Sequence, residues 1–118
     1  MTTNNLPPLT LIDINYHLVE AWLIAFQGIP DVSIQHGDIL KHATNTLVSP
    51  ANSYGDMGGG VDLAYRHFFG RDIERRVQHK IQTTGQAYLP IGQSLLVDTG
   101  HPRLPCFYQK QPAQKTVI

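Results

Sequence analysis

Asn52, Asp62 and the glycines between them have the types and the spacing to do chemistry. The stretch that holds them reads LVSPANSYGDMGGGVDLAYRHFFG, from Leu47 to Gly70. Gly55, Gly58, Gly59 and Gly60 fall within six positions, where an apolar run gives way to a helix-like pattern. A plain strand-to-helix connection needs roughly one or two glycines; more than that bares the backbone N–H groups or allows something to dock against the main chain. At a helix N-terminus such N–H groups and the positive end of the helix dipole suit a phosphate or pyrophosphate. The stretch lacks the Lys-Ser/Thr ending of a Walker P-loop and does not match G-x-G-x-x-G, so it is neither of the two commonest nucleotide loops. A glycine-rich connection with no ligand is the competing explanation.

The neighbouring side chains each admit two roles. Asn52 carries donors and acceptors suited to the vicinal hydroxyls of a ribose. Asp62, in the first helical turn, complements the dipole, a role worth about 0.3–1 kcal/mol, or else polarises a water. Asp38, in the turn Gly37-Asp38-Ile39, holds that turn or accepts a hydrogen bond from an exocyclic amine such as that of adenine. The six histidines show no H-E-x-x-H or Cys/His spacing, so no metal site is expected. His36 and His42 read as surface or turn residues. Cys106 has no partner motif and reads as an inert thiol. Arg66, Arg71, Arg75, Arg76 and Lys80 cluster, but Asp72 and Glu74 interrupt them, which is the pattern of a solvated helix face. Tyr54 suits stacking or packing; Phe68 and Phe69 are expected in the core.

Positioning these residues requires alternating strands and helices. Leu9–Ile14 reads as a buried strand, followed by a helix over 16–26 with Asn15 as its cap and Leu18, Val19, Trp22, Ala25 and Phe26 on one face. Gly28 and Pro30 end that helix. Residues 31–37 alternate as a second strand, and 45–50 form a third that leads into the glycines. Helices are expected over 61–69, with Val61, Ala64, Tyr65, Phe68 and Phe69 together, and over 71–82, with Ile73, Val77 and Ile81 at four-residue spacing. A fourth strand covers 92–98. The alternation predicts an α/β layered fold, in which ligands collect at the carboxyl ends of strands. The Asp38 turn and the glycine loop both follow strands and are expected to line one crevice. The Pro-, Gln- and Lys-rich end has no periodicity, so residues 1–100 are expected to form the domain and 101–118 an irregular tail.

Composition narrows the function classes. Lys plus Arg and Asp plus Glu each total 9 in 118 residues, for zero net charge, which argues against a general nucleic-acid partner. One cysteine permits no internal disulfide, and the N-terminal residues have no signal-peptide pattern, so a cytoplasmic location is expected. The longest apolar run, Ala21–Phe26, is far short of the roughly 20 residues that span a bilayer, so no membrane association is expected.

Taken together, HGDIL and LVSPANSYGDMGGGVDLAY resemble the macro domain, the ADP-ribose-binding α/β module. The family pattern has a Gly-Asp-Ile turn after a strand, then Val-Asn-Ala-Ala-Asn, then a glycine run ending Gly-Gly-Gly-Val-Asp. The resemblance covers about residues 9–98 and implies a three-layer α/β/α fold with a mixed sheet. It places Asp38 and Ile39 at adenine, Asn52 at the distal ribose, Gly58, Gly59, Gly60 and Val61 at the diphosphate, and Asp62 near the scissile bond of hydrolytic members. Asn52 and Asp62 are thus its catalytic candidates. The Ser-Pro-Ala-Asn form with Met before the triple glycine resembles a phage and bacterial branch. The implied partner is ADP-ribose or an ADP-ribosylated protein, with no cofactor. The implied activity is release of ADP-ribose from protein or of phosphate from ADP-ribose 1″-phosphate, with a non-catalytic binding module as the alternative. Ser49 and Pro50 depart from the family stretch. The family's second phosphate loop has no counterpart before residue 98, so the fold is expected to be incomplete at its C-terminus, inactive in the extreme case, and to bury the uncovered surface in a homo-oligomer.

Overall fold

The computed structural model describes residues 8–50 and 52–110. The chain forms two compact units, Met1–His42 and Ala43–Ile118.

The first unit is a βαβ motif. Strand β1 (Leu9–Asp13) runs parallel to β2 (Val32–His36), in register from Leu9 opposite Val32 to Asp13 opposite His36. Parallel neighbours need a crossover, which helix α1 (Tyr16–Ala25) supplies. Asn15 caps it as expected: its side chain accepts the N–H of His17 at 3.0 Å, and Asp13 Oδ1 in turn accepts the N–H of Asn15 at 2.7 Å. Val19 and Trp22 are buried, three residues apart on the face toward the strands, whereas Ala25, expected with them, is exposed. A one-turn helix, α2 (Ile39–His42), follows β2 where the sequence suggested only a turn.

The second unit carries the glycine stretch. Its sheet has the order β3 (Thr46–Ser49), β5 (Cys106–Lys110), β4 (Ser94–Asp98); β3 and β5 are parallel, β4 and β5 antiparallel. The mixed sheet expected of the fold class is therefore present. Residues 106–110, inside the stretch expected to be irregular, form its central strand, with ladders on both sides. Residues 111–118 of that stretch lie outside the described residues. The turn back into β5 is closed locally. Thr99 Oγ1 donates to the Leu104 carbonyl at 2.5 Å, and His101 Nδ1 accepts the N–H groups of Arg103 and Leu104 at 3.2 and 3.3 Å. Leu95 and Val97 point inward while Leu96 is exposed, the period-two pattern of a half-covered strand.

Helices α3 (Gly60–Phe69) and α4 (Asp72–Gln82) pack on each other, and α4 packs on β4. Ile73, Val77 and Ile81 are buried at their four-residue spacing and meet a core that includes Leu47, Met57, Tyr65, Leu89 and Leu104. The inward face of α3 is not the one its apolar residues suggest. Asp62 and Tyr65 are buried, while Val61, Ala64 and Phe68 face outward. Phe68 meets Phe69 edge-on and His101 at a tilt, each with ring centroids 5.0 Å apart, and lies 5.9 Å beneath the Arg103 guanidinium, so it packs at the edge of the core.

Candidate functional site

The glycine loop runs from the end of β3 to the start of α3, and its own side chains shape it. Asn52 Oδ1 accepts the N–H groups of Tyr54 at 3.1 Å and Asp56 at 3.0 Å, and its Nδ2 donates to the Asp56 carbonyl at 3.2 Å. The amide assigned to a ribose is thus engaged in folding its own loop, as Asn side chains do in turns. Gly55 follows with φ +73°, and a Cβ there would stand 3.0 Å from Val77 Cγ1, so only glycine allows this backbone to lie on α4. Gln78 Nε2 donates to the Gly55 carbonyl at 3.4 Å, and the Ser53 carbonyl accepts the N–H of Leu89 at 2.7 Å. Tyr54 and Tyr88 meet nearby with ring centroids 6.3 Å apart, both substantially exposed.

Beyond Gly55 the N–H groups divide into committed and open ones. Met57, itself buried, donates its N–H to Glu74 Oε2 at 2.9 Å, and the same oxygen takes Arg66 Nη1 at 3.3 Å. The N–H of Gly58 donates to Asp56 Oδ1 at 2.9 Å. Gly58 therefore contributes shape, not a donor. At the N-cap, Gly59 has no side chain to bond the first turn of α3. The first four N–H groups of a helix have no intrahelical acceptor, and among the described residues those of Gly59, Gly60 and Val61 have no other partner either. Gly60 is left-handed at φ +58°, where a Cβ clashes with its own backbone. Gly59 is extended, at φ −145° and ψ 163°, and a Cβ added there would meet nothing within 4 Å. Its use of glycine is not required by the chain's own conformation.

Asp62 lies beneath these donors, only 5% exposed. Ser49, fully buried at the end of β3, donates its hydroxyl to Asp62 Oδ1 at 2.5 Å. Burial pushes the Asp62 carboxyl above the usual carboxylate range, and the Ser49 hydrogen bond pulls part of the way back. Tyr65, one turn along, donates its hydroxyl to the Val48 carbonyl at 3.3 Å. Burial first, and the nearby Asp62 charge second, hold its phenol well above the ordinary tyrosine range. Sequence reasoning missed Ser49 and Glu74 as parts of this arrangement. The signal for Ser49 was available: it shares a strand face with the buried Leu47, two residues away.

Asp38 and Ile39 belong to the first unit. Asp38 Oδ1 accepts the N–H of Leu40 at 3.0 Å and its carbonyl accepts the N–H of Lys41 at 3.0 Å, so Asp38 opens α2 in the turn-holding role. Ile39 is the first residue of that helix and is half-buried. His36 and His42 are exposed, His36 Nε2 lying 2.9 Å from the Ile14 carbonyl oxygen. Among the described residues no three His, Cys, Asp or Glu side chains gather as a metal site, and no helix is long and apolar enough to cross a membrane.

The second unit is thus a mixed α/β unit with a triple-glycine turn between a strand and a helix and a buried aspartate in that helix's first turn. The model of the macro-like domain family matches residues 36–117, and the chain belongs to that family. The match begins at the end of β2 and includes β5, the strand that sequence patterning left out. Over 70 residues the chain is 34% identical to an uncharacterized protein of Aquifex aeolicus (strain VF5). That alignment covers 59% of this chain and 39% of the relative's length.

Proposed function

We propose that this chain binds ADP-ribose or a close derivative, with the diphosphate held by the N–H groups of Gly59, Gly60 and Val61. The observation that carries this is the uncapped start of α3 behind a glycine whose side-chain space is open. Preformed donors at a helix N-terminus suit a diphosphate, and membership of the macro-like family supports ADP-ribose as the ligand class. The distal ribose would approach Asn52 on its exposed side. Calorimetric titration tests it: ADP-ribose should bind more tightly than AMP or ribose 5-phosphate, and no heat at millimolar ADP-ribose would refute it.

Hydrolysis is the second reading, favoured by one observation. A buried carboxyl with a raised pKa suits a group that accepts a proton from water, since a base works best with a pKa near the working pH. Asp62 would then orient a water toward the anomeric carbon. In that case Asp62→Asn should abolish ADP-ribose release from a modified protein and leave ADP-ribose affinity within about tenfold, because a group acting in the transition state lowers turnover more than binding. Binding with no release by the wild type over hours leaves the binding module.

A further inference from the structure

At the other end of α3 from the glycine loop, a cleft of about 580 Å³ opens at the α3–α4 corner, lined by Arg66, His67, Gly70, Arg71, Glu74 and Arg75. Of its lining residues Glu74 reaches the glycine loop, at the Met57 N–H, while Arg71 and Arg75 lie beyond the C-terminal end of α3. Two helices contribute arginines to it in a chain whose formal net charge is zero. The acidic groups beside it are committed. Glu74 Oε2 is held by the Met57 N–H at 2.9 Å and by Arg66 at 3.3 Å, and Asp72 is paired with Arg76 at 2.8 Å. Glu74 is thereby anchored toward the loop and is not free to neutralise the other guanidiniums. Among the described residues the side chains of Arg71 and Arg75 have no hydrogen bond or ion pair.

We propose that this cleft binds a small phosphorylated anion through Arg71 and Arg75, with Arg66 as the third guanidinium. The first turn of α4 carries Asp72 and Glu74, so the helix end does not make the site. The guanidiniums do, with the planar forks that match phosphate oxygens in pairs. With Arg66 and Glu74 offsetting each other, two positive charges remain, which matches a dianionic phosphate. A solvated helix face would place these arginines in open water with no concavity between them. Here they line a shared, half-open cleft.

The test is titration of inorganic pyrophosphate followed by amide NMR shifts at Gly70 and Arg71, at constant ionic strength. Wild type should show saturable shifts at millimolar pyrophosphate. The double variant Arg71→Gln, Arg75→Gln should bind about tenfold or more weakly, since charge-assisted contacts are lost, with an unchanged melting temperature because both side chains are exposed. Gly59→Val, which blocks the glycine loop, should leave these shifts in place. A phosphoserine peptide and inorganic phosphate carry the dianionic group itself; the tighter of these two probes identifies a protein-borne or a free phosphate as the source. The proposal is overturned if chloride reproduces the shifts, if the double variant binds pyrophosphate as wild type does, or if Gly59→Val removes the binding at Gly70. Failure here leaves ADP-ribose binding at the glycine loop untouched.

Discussion

Ser49→Ala tests whether the buried Ser49–Asp62 pair holds the start of α3. Asp62 is 5% exposed and Ser49 fully buried, so solvent cannot replace the missing hydroxyl. A hydrogen bond to a charged group contributes about 1.5–3 kcal/mol, and one between neutral groups about 0.5–1.5 kcal/mol. The loss should therefore depend on the ionisation of Asp62. Burial raises its pKa in the folded state. A carboxyl raised in this way favours folding below its unfolded pKa, and that contribution is lost as pH rises through the folded value. Ser49 opposes the loss by stabilising the carboxylate. Removing Ser49 should then cost most where Asp62 is ionised, above its raised folded value, and progressively less as the pH falls and the carboxyl takes up its proton. A loss of about 2 kcal/mol lowers the melting temperature by roughly 8–16 °C in a domain of this size. Asp62→Asn is the complement: it keeps an acceptor for Ser49 and removes the buried charge, so its stability relative to wild type should rise with pH. Thermal melts followed by circular dichroism across this pH range measure both. An equal loss in Ser49→Ala at pH 4 and pH 8 would refute the account.

Gly60→Ala should lose roughly 1–2 kcal/mol of stability for its left-handed backbone, whereas Gly59→Ala should melt like wild type yet bind ADP-ribose more weakly, as melts and titration would show. Asp56→Asn keeps an acceptor for the Gly58 N–H and removes a negative charge beside the loop, so ADP-ribose should bind more tightly by about 0.3–1 kcal/mol, with the gain fading in high salt. Asp38→Ala should remove the side-chain bond to Leu40 and lower stability by about 0.5–1.5 kcal/mol, as thermal melts would show.

The elements that bury an apolar stripe were legible in the sequence. α1, α4 and β4 fall within two residues of their expected ends because their apolar residues keep the period of their element and glycine or proline stands near their limits. β5 was not legible. A central strand of five residues between Pro105 and a polar run has too few positions to show a period, and its partners lie far away in sequence. α3 was found, but with the wrong face inward. Periodicity assumes that apolar residues point to the core, and here a hydrogen-bonded serine–aspartate pair takes their place beside Tyr65. Conversely, the motif residues were legible as a group, while their roles were not. Residue types reveal a capacity for hydrogen bonding; only coordinates show which partner already has it.

Asn52 makes the consequence plain. As a ribose ligand alone, it would leave the 52–56 backbone to order itself upon binding, at an entropic cost. In the structure its side chain instead fixes that backbone through Tyr54 and Asp56. Glu74 fixes the next step at Met57, and Asp56 the one after, at Gly58. Among the described residues of the loop, the next N–H groups, without such a partner, are those that open α3. Side chains thus take up the donors leading to the helix and direct the remaining ones outward, so the loop's polar residues matter as much for what they hold still as for what they touch. Asn52→Asp retains the two acceptor contacts and loses the donor to the Asp56 carbonyl; Asn52→Ala loses all three. If fixing the loop is the residue's main contribution, stability and ADP-ribose affinity should fall together, with the Asp variant between wild type and Ala in both. A pure ribose contact would instead lower affinity while leaving the melting temperature unchanged.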